Sequence, residues 1–406
     1  MSFRRTKTFL AGLAVVAMLG LTACGGDDPS AAPDGASGAA TSSASATPTP
    51  TTSPIRWVTT PAAGAKKVGV DTRVVASAEE GTLTKASLSY VSKKGKTVPV
   101  KGWLESGTWT STDLLEPGVT YTLELEGTDA DGKPTSTQQT FQTANLTLDD
   151  QIYVKVIPDG QTVGIGMPVI VTFDLPVVDK ASFEKHMKVT AKPAQAGSWY
   201  WLSSREAHWR PKTYWVPGSK VHVEANLNGV PAGGGRFGEQ SRVADFTVGR
   251  SVVAKVNLVT HMMDVYISGK KAKTIPISGG RPGWETRSGI KVIMEKHTNF
   301  KMKAESIGLK PGDKDYYHDV VVKYALRITH SGEFLHTAPW SVSQQGHANV
   351  SHGCTGMSEP SSDWVFANMR IGDVVDTTGS QKPMTMGNGY ADWNLSWSRY
   401  QQGSAL

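Results

Sequence analysis

The strongest constraint on the fold is an internal repeat with a spacing of 100 residues. A tryptophan, a Pro-Gly turn and the start of an alternating strand recur in the same order, with Trp109, Pro117-Gly118 and Tyr121 matched by Trp209, Pro217-Gly218 and Val221. One immunoglobulin-like sandwich has about 100 residues, so the spacing equals one such module. The apolar and polar residues that alternate after each turn are typical of half-buried strands. We therefore predict two Ig-like β-sandwich domains, over residues 55–145 and 146–250.

The N-terminal residues have the pattern of an export signal. Arg4, Arg5 and Lys7 precede an apolar run over residues 9–21. A run of that length is too short for a membrane-spanning helix of about 20 residues but fits the apolar part of a secretory signal peptide. We expect residues 1–24 to be a signal that exports the rest of the chain.

The end of this signal resembles the bacterial lipobox. Leu21-Thr22-Ala23-Cys24 matches its pattern, and the resemblance implies that Cys24 carries a lipid. Several acyl chains would hold the protein at the outer face of the plasma membrane, within the cell envelope. The alternative is an ordinary signal peptide with an incidental cysteine near its end.

Residues 25–54 predict a disordered tether, because they are almost all Ser, Thr, Ala, Pro and Gly and cannot form a core. Removal of the signal takes away three basic residues and no acid, which lowers the formal net charge from +6 to +3. That charge is only mildly basic, and the sequence has no clustered basic stripe. We therefore expect no nucleic-acid partner.

The second Ig-like module contains an aromatic cluster with two interpretations. Its members are Trp199, Tyr200, Trp201, Trp209, Tyr214 and Trp215. Large aromatic side chains dominate protein cores, so packing inside the module or against a neighbouring domain is the favoured interpretation. The alternative is a surface on which carbohydrate rings stack.

The remaining chain differs in character from the two modules. Residues 251–378 contain several short strand-like runs and one helical stretch near Pro360, which predict a mostly β catalytic domain with one main helix. Residues 379–406 form a Trp-rich extension without reactive groups. We expect the extension to pack the catalytic domain against its neighbour.

Cys354 is the candidate nucleophile. The chain has two cysteines, and if Cys24 carries lipid, Cys354 remains as a free thiol. A thiol with a pKa of about 8.5 needs a nearby base, and histidines 336, 347 and 352 all lie within 18 residues of it. Gly353 permits a sharp turn that presents backbone amides to an oxyanion. These features predict an acyl-transfer site, and a zinc site built from Cys354, His336 and His352 is the alternative.

The segment from His336 to Ser351-His352-Gly353-Cys354 resembles the signature of the L,D-transpeptidases. The whole chain resembles their actinobacterial lipoproteins, with two Ig-like domains, a YkuD-type catalytic domain and a Trp-rich tail. The resemblance implies that Cys354 is the nucleophile and His336 the base that activates it. It also implies that the Thr337 carbonyl orients His336, that His352 is the motif histidine, and that the amides of Gly353 and Cys354 form the oxyanion hole.

The resemblance also implies substrate-binding residues, namely Trp340, Ser351 and Asn349 around the motif and Tyr317 and His318 in a lid. Two positions depart from the family. The lid tyrosine of the family falls at His318, and Gly356 stands where the family usually has an asparagine. These departures concern substrate specificity and loop geometry more than the chemistry.

The function implied by the resemblance is peptidoglycan L,D-transpeptidation. Cys354 would attack a tetrapeptide donor stem, release D-Ala and form a thioester, and an amine of an acceptor stem would then form a 3→3 crosslink. The resemblance also implies acylation by carbapenems, and no cofactor or metal is expected. The alternatives are an L,D-carboxypeptidase, which shares the catalytic residues, and a non-catalytic scaffold that binds peptidoglycan.

Overall fold

The computed structural model describes residues 54–406, and strands dominate it. The predicted signal peptide, the lipobox with Cys24 and all but the last residue of the tether lie outside the described residues. Within residues 54–406, none of the helices has the length and apolar composition that crossing a membrane requires.

The first domain is a sandwich of two four-stranded sheets, ordered β1-β2-β6-β5 and β4-β3-β7-β8. Its core contains Trp109, Tyr121 and Phe141. The strands are β1 Arg56–Thr60, β2 Val75–Glu79, β3 Gly81–Val91, β4 Thr97–Val100, β5 Gly102–Glu105, β6 Thr108–Ser111, β7 Thr120–Asp129 and β8 Pro134–Gln142.

The second domain repeats this architecture. Its two main sheets are ordered β10-β12-β15-β14 and β11-β19-β16-β13, and a small third sheet is ordered β17-β18-β9. The elements are β9 Gln151–Ile152, β10 Val154–Ile157, β11 Thr162–Val163, β12 Val169–Phe173, α1 Lys180–Lys185, β13 Met187–Lys192, β14 Gly197–Trp201, β15 Glu206–Pro211, β16 Lys220–Ala225, β17 Pro231–Gly233, β18 Arg236–Gly238 and β19 Arg242–Val248.

The sequence repeat corresponds to a structural repeat. Trp109 on β6 and Trp209 on β15 are both buried, and each strand lies third in its sheet. The neighbouring edge strand begins with glycine in both domains, at Gly102 and Gly197. A Cβ there would lie 2.2 Å and 2.0 Å from the tryptophan ring, so only glycine lets the ring lie flat on the strand. The predicted fold class is confirmed.

The third domain, which the sequence predicts to be the catalytic domain, contains two further sheets. A five-stranded sheet is ordered β22-β21-β20-β28-β23, and a four-stranded sheet is ordered β24-β25-β26-β27. One helix, α2, lies between the last two strands, as the sequence predicts. The elements are β20 Val252–Asn257, β21 Met262–Ile267, β22 Lys270–Pro276, β23 Gly289–Val292, β24 Glu295–Met302, β25 Val320–Arg327, β26 Phe334–Thr337, β27 Thr355–Met357, α2 Glu359–Asn368 and β28 Val374–Thr378.

The C-terminal extension packs on the second Ig-like domain, and it ends with the short helix α3, Trp397–Gln401. Trp393 Nε1 donates to the Gly166 carbonyl at 2.7 Å. The Arg210 guanidinium lies over the rings of Trp393 and Tyr400, at 4.6 Å and 4.2 Å from their centroids. Asn394 Nδ2 donates to the Ile290 carbonyl in strand β23 at 2.6 Å, so the extension contacts both neighbouring domains, as predicted.

The aromatic cluster of the second domain is a packing cluster. Trp199, Trp201, Trp209 and Trp215 are all buried in the domain core. Tyr200 and Tyr214 contact aromatic side chains of the C-terminal extension. Packing rather than carbohydrate stacking therefore accounts for the cluster.

Asp373 lies in a direct junction between the second and third domains. The Gly164 amide donates to the Ile371 carbonyl at 2.8 Å, and Val374 enters the core of the second domain. The Asp373 side chain is fully buried, with one carboxylate oxygen accepting from the Arg370 amide at 2.8 Å. Its other oxygen has no hydrogen-bond partner among residues 54–406. Burial raises the pKa of Asp373 from 3.8 to about 7, against the opposing effects of the Arg370 amide and nearby basic side chains.

We expect Asp373→Asn to stabilise the protein more at pH 8 than at pH 5. A carboxyl group with a raised pKa binds more protons in the folded state, so stability falls as pH rises from 3.8 towards 7. Asparagine removes the buried charge, and the expected gain at pH 8 is about 1–3 kcal/mol. Thermal unfolding at the two pH values measures the difference. The exposed Asp313→Asn is the control, and an equal shift at both pH values would contradict the prediction.

Candidate active site

Two adjacent strands bring the predicted base and nucleophile together. β26 and β27 pair in parallel, which places His336 opposite Gly356. Cys354 directly precedes β27, so the thiol lies at the end of the strand next to His336. The segment between the strands carries the predicted residues Trp340, Asn349, Ser351 and His352. The sheet therefore assembles residues that are up to 18 positions apart in the sequence.

The His336 ring is held in the form of a neutral base. Its Nδ1 lies 2.9 Å from the Thr337 carbonyl oxygen. A carbonyl only accepts, so Nδ1 carries the proton and Nε2 has a free lone pair. Burial lowers the pKa of His336 to about 4, although the Thr337 carbonyl favours the protonated form. The predicted role of Thr337 agrees with this contact.

The turn before the nucleophile is closed by Ser351. Its hydroxyl donates to the Cys354 carbonyl at 2.7 Å and accepts from the Gly353 amide at 3.1 Å. Gly353 has a φ of 116°, in the region that disfavours side chains. Because Ser351 engages the Gly353 amide, that amide is not free for an oxyanion. The Cys354 amide has no hydrogen-bond partner within the described residues, which leaves it as the available oxyanion donor.

The thiol is neutral, and its hydrogen bond goes to a backbone carbonyl rather than to the base. Cys354 Sγ donates to the Gly332 carbonyl, with the two atoms 3.5 Å apart. Burial raises the pKa of Cys354 to about 12, and the nearby Glu333 carboxylate acts in the same direction. The resting site therefore holds a thiol and a neutral imidazole. Attack on a carbonyl requires Sγ to turn from Gly332 towards His336 as it gives up its proton.

Two cavities meet at Cys354, with volumes of about 250 Å³ and 220 Å³. Met302, Tyr317 and His352 line both of them. The first also includes Phe300, Lys301, Lys303, Ser306, Ile307, Arg327, Gly332 and Phe334. The second also includes Ser278, Val320, His336, Ala338, Trp340, Ser341, Val350, Ser351 and Gly356. The thiol is thus accessible from two sides.

The predicted substrate-binding residues take different positions. Trp340, Ser351 and Tyr317 line the cavities, and Trp340 stacks on His336 with the ring centroids 5.9 Å apart. His318 is exposed and packs on Tyr316, outside both linings. Asn349 Oδ1 accepts from the Gly279 backbone amide at 2.8 Å, and Asn349 Nδ2 donates to the Leu258 carbonyl at 2.9 Å. Asn349 therefore stabilises the loop before Cys354 and does not line a cavity. Of the two predicted lid residues, Tyr317 lines the cavities and His318 does not.

Gly356 has a steric explanation. A Cβ at this position would lie 2.9 Å from the Ala338 Cβ and 3.7 Å from His336 Nε2. Ala338 occupies the space that an asparagine side chain would need. Glycine at position 356, where the family usually has asparagine, is therefore explained by the Ala338 side chain that packs against it.

The structure shows a buried ionic network behind the nucleophile that the sequence analysis does not predict. Glu333 accepts from Lys291 Nζ at 2.7 Å and from Arg287 Nη1 at 2.9 Å. Lys291 is fully buried. The network holds the turn whose Gly332 carbonyl contacts the thiol. Its one signal in the sequence is a lysine inside the apolar strand β23.

Within residues 54–406, no group of three or more His, Cys, Asp or Glu side chains is arranged to hold a metal ion. The two histidines of the zinc alternative are both engaged. His336 bonds the Thr337 carbonyl, and His352 Nε2 lies 3.1 Å from Arg281 Nη1.

A half-buried thiol next to a neutral imidazole, with an unpaired backbone amide at the same residue and cavities on two sides, defines a cysteine-dependent acyltransferase. The comparisons with known proteins agree. The family model for the L,D-transpeptidase catalytic domain matches residues 251–377, and the model for the bacterial Ig domain matches residues 65–231.

Two relatives come from Mycobacterium tuberculosis. L,D-transpeptidase 2 is 35% identical over 351 residues, which cover 84% of this chain and 83% of that protein. L,D-transpeptidase 1 is 32% identical over 54% of this chain and 82% of that protein. A solved L,D-transpeptidase in complex with imipenem is 32% identical, covers 55% of this chain and 97% of that chain, and has a TM-score of 0.49. The chain belongs to the L,D-transpeptidase family, and it is a peptidoglycan-crosslinking enzyme.

We expect alkylation of Cys354 by iodoacetamide to accelerate about tenfold per pH unit from pH 7 to pH 10, because the reactive thiolate is a minor species below the raised pKa. Intact-protein mass spectrometry at several pH values gives the rate. A preformed thiolate–imidazolium pair would instead give a plateau between pH 6 and pH 8, and that result would contradict the neutral resting pair.

Proposed function

We propose that the chain catalyses L,D-transpeptidation through a thioester on Cys354, using a tetrapeptide stem as donor and a second stem as acceptor. The observation that carries the proposal is the position of Cys354 at the junction of two cavities, the second of which is also lined by His336. Two entrances to one thiol provide room for a donor and an acceptor. A site for simple binding would need neither a thiol nor a buried neutral base.

In the first half-reaction, Cys354 Sγ turns from the Gly332 carbonyl and attacks the carbonyl carbon that precedes D-Ala. His336 Nε2 takes the thiol proton as the C–S bond forms, and the Cys354 amide stabilises the oxyanion. The tetrahedral intermediate then breaks its C–N bond. His336 returns the proton to the leaving amine, so D-Ala departs neutral at nitrogen and a thioester remains.

In the second half-reaction, a side-chain amine of the acceptor stem attacks the thioester. His336 accepts a proton from that amine, the C–S bond breaks, and the proton returns to Cys354. The product is a 3→3 crosslink and the free enzyme. Water in place of the amine would give a tripeptide, which is the L,D-carboxypeptidase alternative.

The proposal includes two further parts. Imipenem is present in the complex with the solved relative, and an activated β-lactam carbonyl placed near Cys354 would acylate the thiol as a donor stem does, with the ring C–N bond breaking as the C–S bond forms. Carbapenems are therefore proposed acylating agents. The lipobox and the tether support a lipid anchor at Cys24 and a location at the outer face of the plasma membrane.

The test uses the chain from Ile55 onwards, as wild type and as Cys354→Ala. Each protein is incubated with purified disaccharide-tetrapeptide and, separately, with imipenem. Intact-protein mass spectrometry detects adducts, and the muropeptides are analysed in parallel. A Cys354-dependent adduct with dimeric muropeptide supports the proposal. An adduct with tripeptide alone favours the carboxypeptidase, and no adduct under either condition favours the peptidoglycan-binding scaffold.

A further inference from the structure

The hairpin connection between β24 and β25, residues 303–319, forms a roof over the nucleophile. Lys303, Ser306 and Ile307 line the first cavity, and Tyr317 lines both. The roof has its own internal bonds, such as the Tyr316 hydroxyl to Glu305 at 2.8 Å. These bonds shape the roof but do not attach it to the rest of the domain.

Asp315 attaches the distal half of the roof to the domain. Its carboxylate accepts from Trp284 Nε1 at 3.0 Å and forms an ion pair with Arg281. In the part of the chain that the structure describes, Asp315 is the one residue of 308–318 that hydrogen-bonds outside the roof. The Trp284 hydrogen bond and the Arg281 guanidinium lower the pKa of Asp315, so the carboxylate is charged at neutral pH.

The same contacts reach the nucleophile turn through His352. Arg281 Nη1 donates to His352 Nε2 at 3.1 Å, and the Asp315 backbone carbonyl favours the protonated form of the same ring. The His352 ring lies 5.2 Å from each of the Trp284 and Tyr317 rings, measured between centroids. Burial, together with the Arg281 charge, lowers the pKa of His352. Because Nε2 accepts from Arg281, this nitrogen of His352 is not free to act as a base for Cys354.

We propose that Arg281, Trp284, Asp315 and His352 form a cage in which Asp315 is a positioning residue, joining closure of the roof to placement of Cys354. His352 lies two residues before Cys354 and inside the turn that Ser351 closes. When Asp315 holds the roof closed, the contacts of His352 fix the turn before Cys354. When these contacts of Asp315 are lost, the turn becomes more mobile and Cys354 is less well placed. The inference rests on the proposed acylation of Cys354 and assigns His352 to positioning rather than to proton transfer.

The test compares Asp315→Asn with the wild type in two reactions of the same thiol. Acylation by imipenem needs the correct placement of Cys354 and is expected to slow about 10- to 100-fold. Alkylation by iodoacetamide, in which Sγ displaces iodide, needs only access and ionisation. It is expected to accelerate about tenfold, because opening the roof hydrates the thiol and lowers its pKa by about one. Opposite changes in the two rates are the signature of the cage.

Two comparisons sharpen the test. Asp313→Asn makes the same substitution in the roof at an exposed residue whose side chain, among residues 54–406, accepts from the Lys310 amide and from no other group, and both rates should match the wild type. Arg281→Met combined with Asp315→Asn should cost no more than the larger single change, since both act through one cage. Parallel loss of both rates in Asp315→Asn, or no change in either, would overturn the inference. A wild type without Cys354-dependent acylation would instead overturn the proposed function.

Discussion

Replacing His336 by alanine is expected to slow formation of the Cys354 acyl-enzyme by about 10²- to 10⁴-fold, the usual contribution of a general base. The effect should lie near the upper end, because burial raises the pKa of the thiol to about 12 and leaves very little thiolate at neutral pH. His336 is the neutral base beside that thiol, with its Nε2 lone pair free. The rate is measured by intact-protein mass spectrometry during incubation with imipenem.

The matched control for this prediction is His347→Ala. His347 belongs to the same segment but is exposed and lines neither cavity, so its loss should leave acylation unchanged. Without His336, the thiol must ionise unaided, and the residual rate should rise about tenfold per pH unit. Acylation by the His336→Ala variant within about tenfold of the wild type would show that another group carries the proton.

The sequence predicts the fold well where a repeat or a strict alternation is present. The repeat around Trp109 and Trp209 identifies two sandwiches because the same ring packs on a glycine-started edge strand in each. β24 is not predicted, although it is one of the longer strands of the catalytic domain. Its residues Glu295–Met302 are mostly exposed or half-buried on both faces, so they lack the alternation that identifies a strand.

The site is predicted in part for a related reason. His336, His352 and Cys354 lie in one short segment, so their spacing is visible in the sequence. Asp315 and Glu333 come from other segments, and only the fold brings them near the thiol. The sequence also does not show which backbone amide is available for an oxyanion. In the structure the Gly353 amide donates to Ser351, and the Cys354 amide remains unpaired among the described residues.

The C-terminal extension is held to the second Ig-like domain by a buried ionic pair. His208 Nδ1 lies 2.9 Å from Asp392 Oδ1, and both side chains are almost fully buried. Tyr400 donates to the same carboxylate oxygen at 3.0 Å. Burial alone would lower the pKa of His208, but Asp392 and Glu206 outweigh it and raise the pKa to about 9. The pair therefore carries both charges at neutral pH.

Asp392→Ala is expected to destabilise the second and third domains by about 3–5 kcal/mol, because it leaves a histidine cation and a tyrosine hydroxyl buried without their partner. Differential scanning calorimetry measures the effect. The first Ig-like domain has its own core, so its transition serves as an internal reference that should not shift. Glu206→Gln is the control: Glu206 also contacts His208, but it is about one-third exposed and should cost less than about 1 kcal/mol.

The pH dependence separates the loss of the charge pair from a simple loss of packing. The stabilisation that comes from the raised pKa of His208 is complete below pH 6.5 and is lost as the pH rises through about 9. Asp392 has a lowered pKa, so its contribution is complete above pH 3.8 and is lost on acidification. The difference in stability between wild type and Asp392→Ala should therefore be largest between about pH 4 and pH 6.5 and should shrink as the pH approaches 9. A deficit that is constant over this range would mean that the side chain contributes through packing alone.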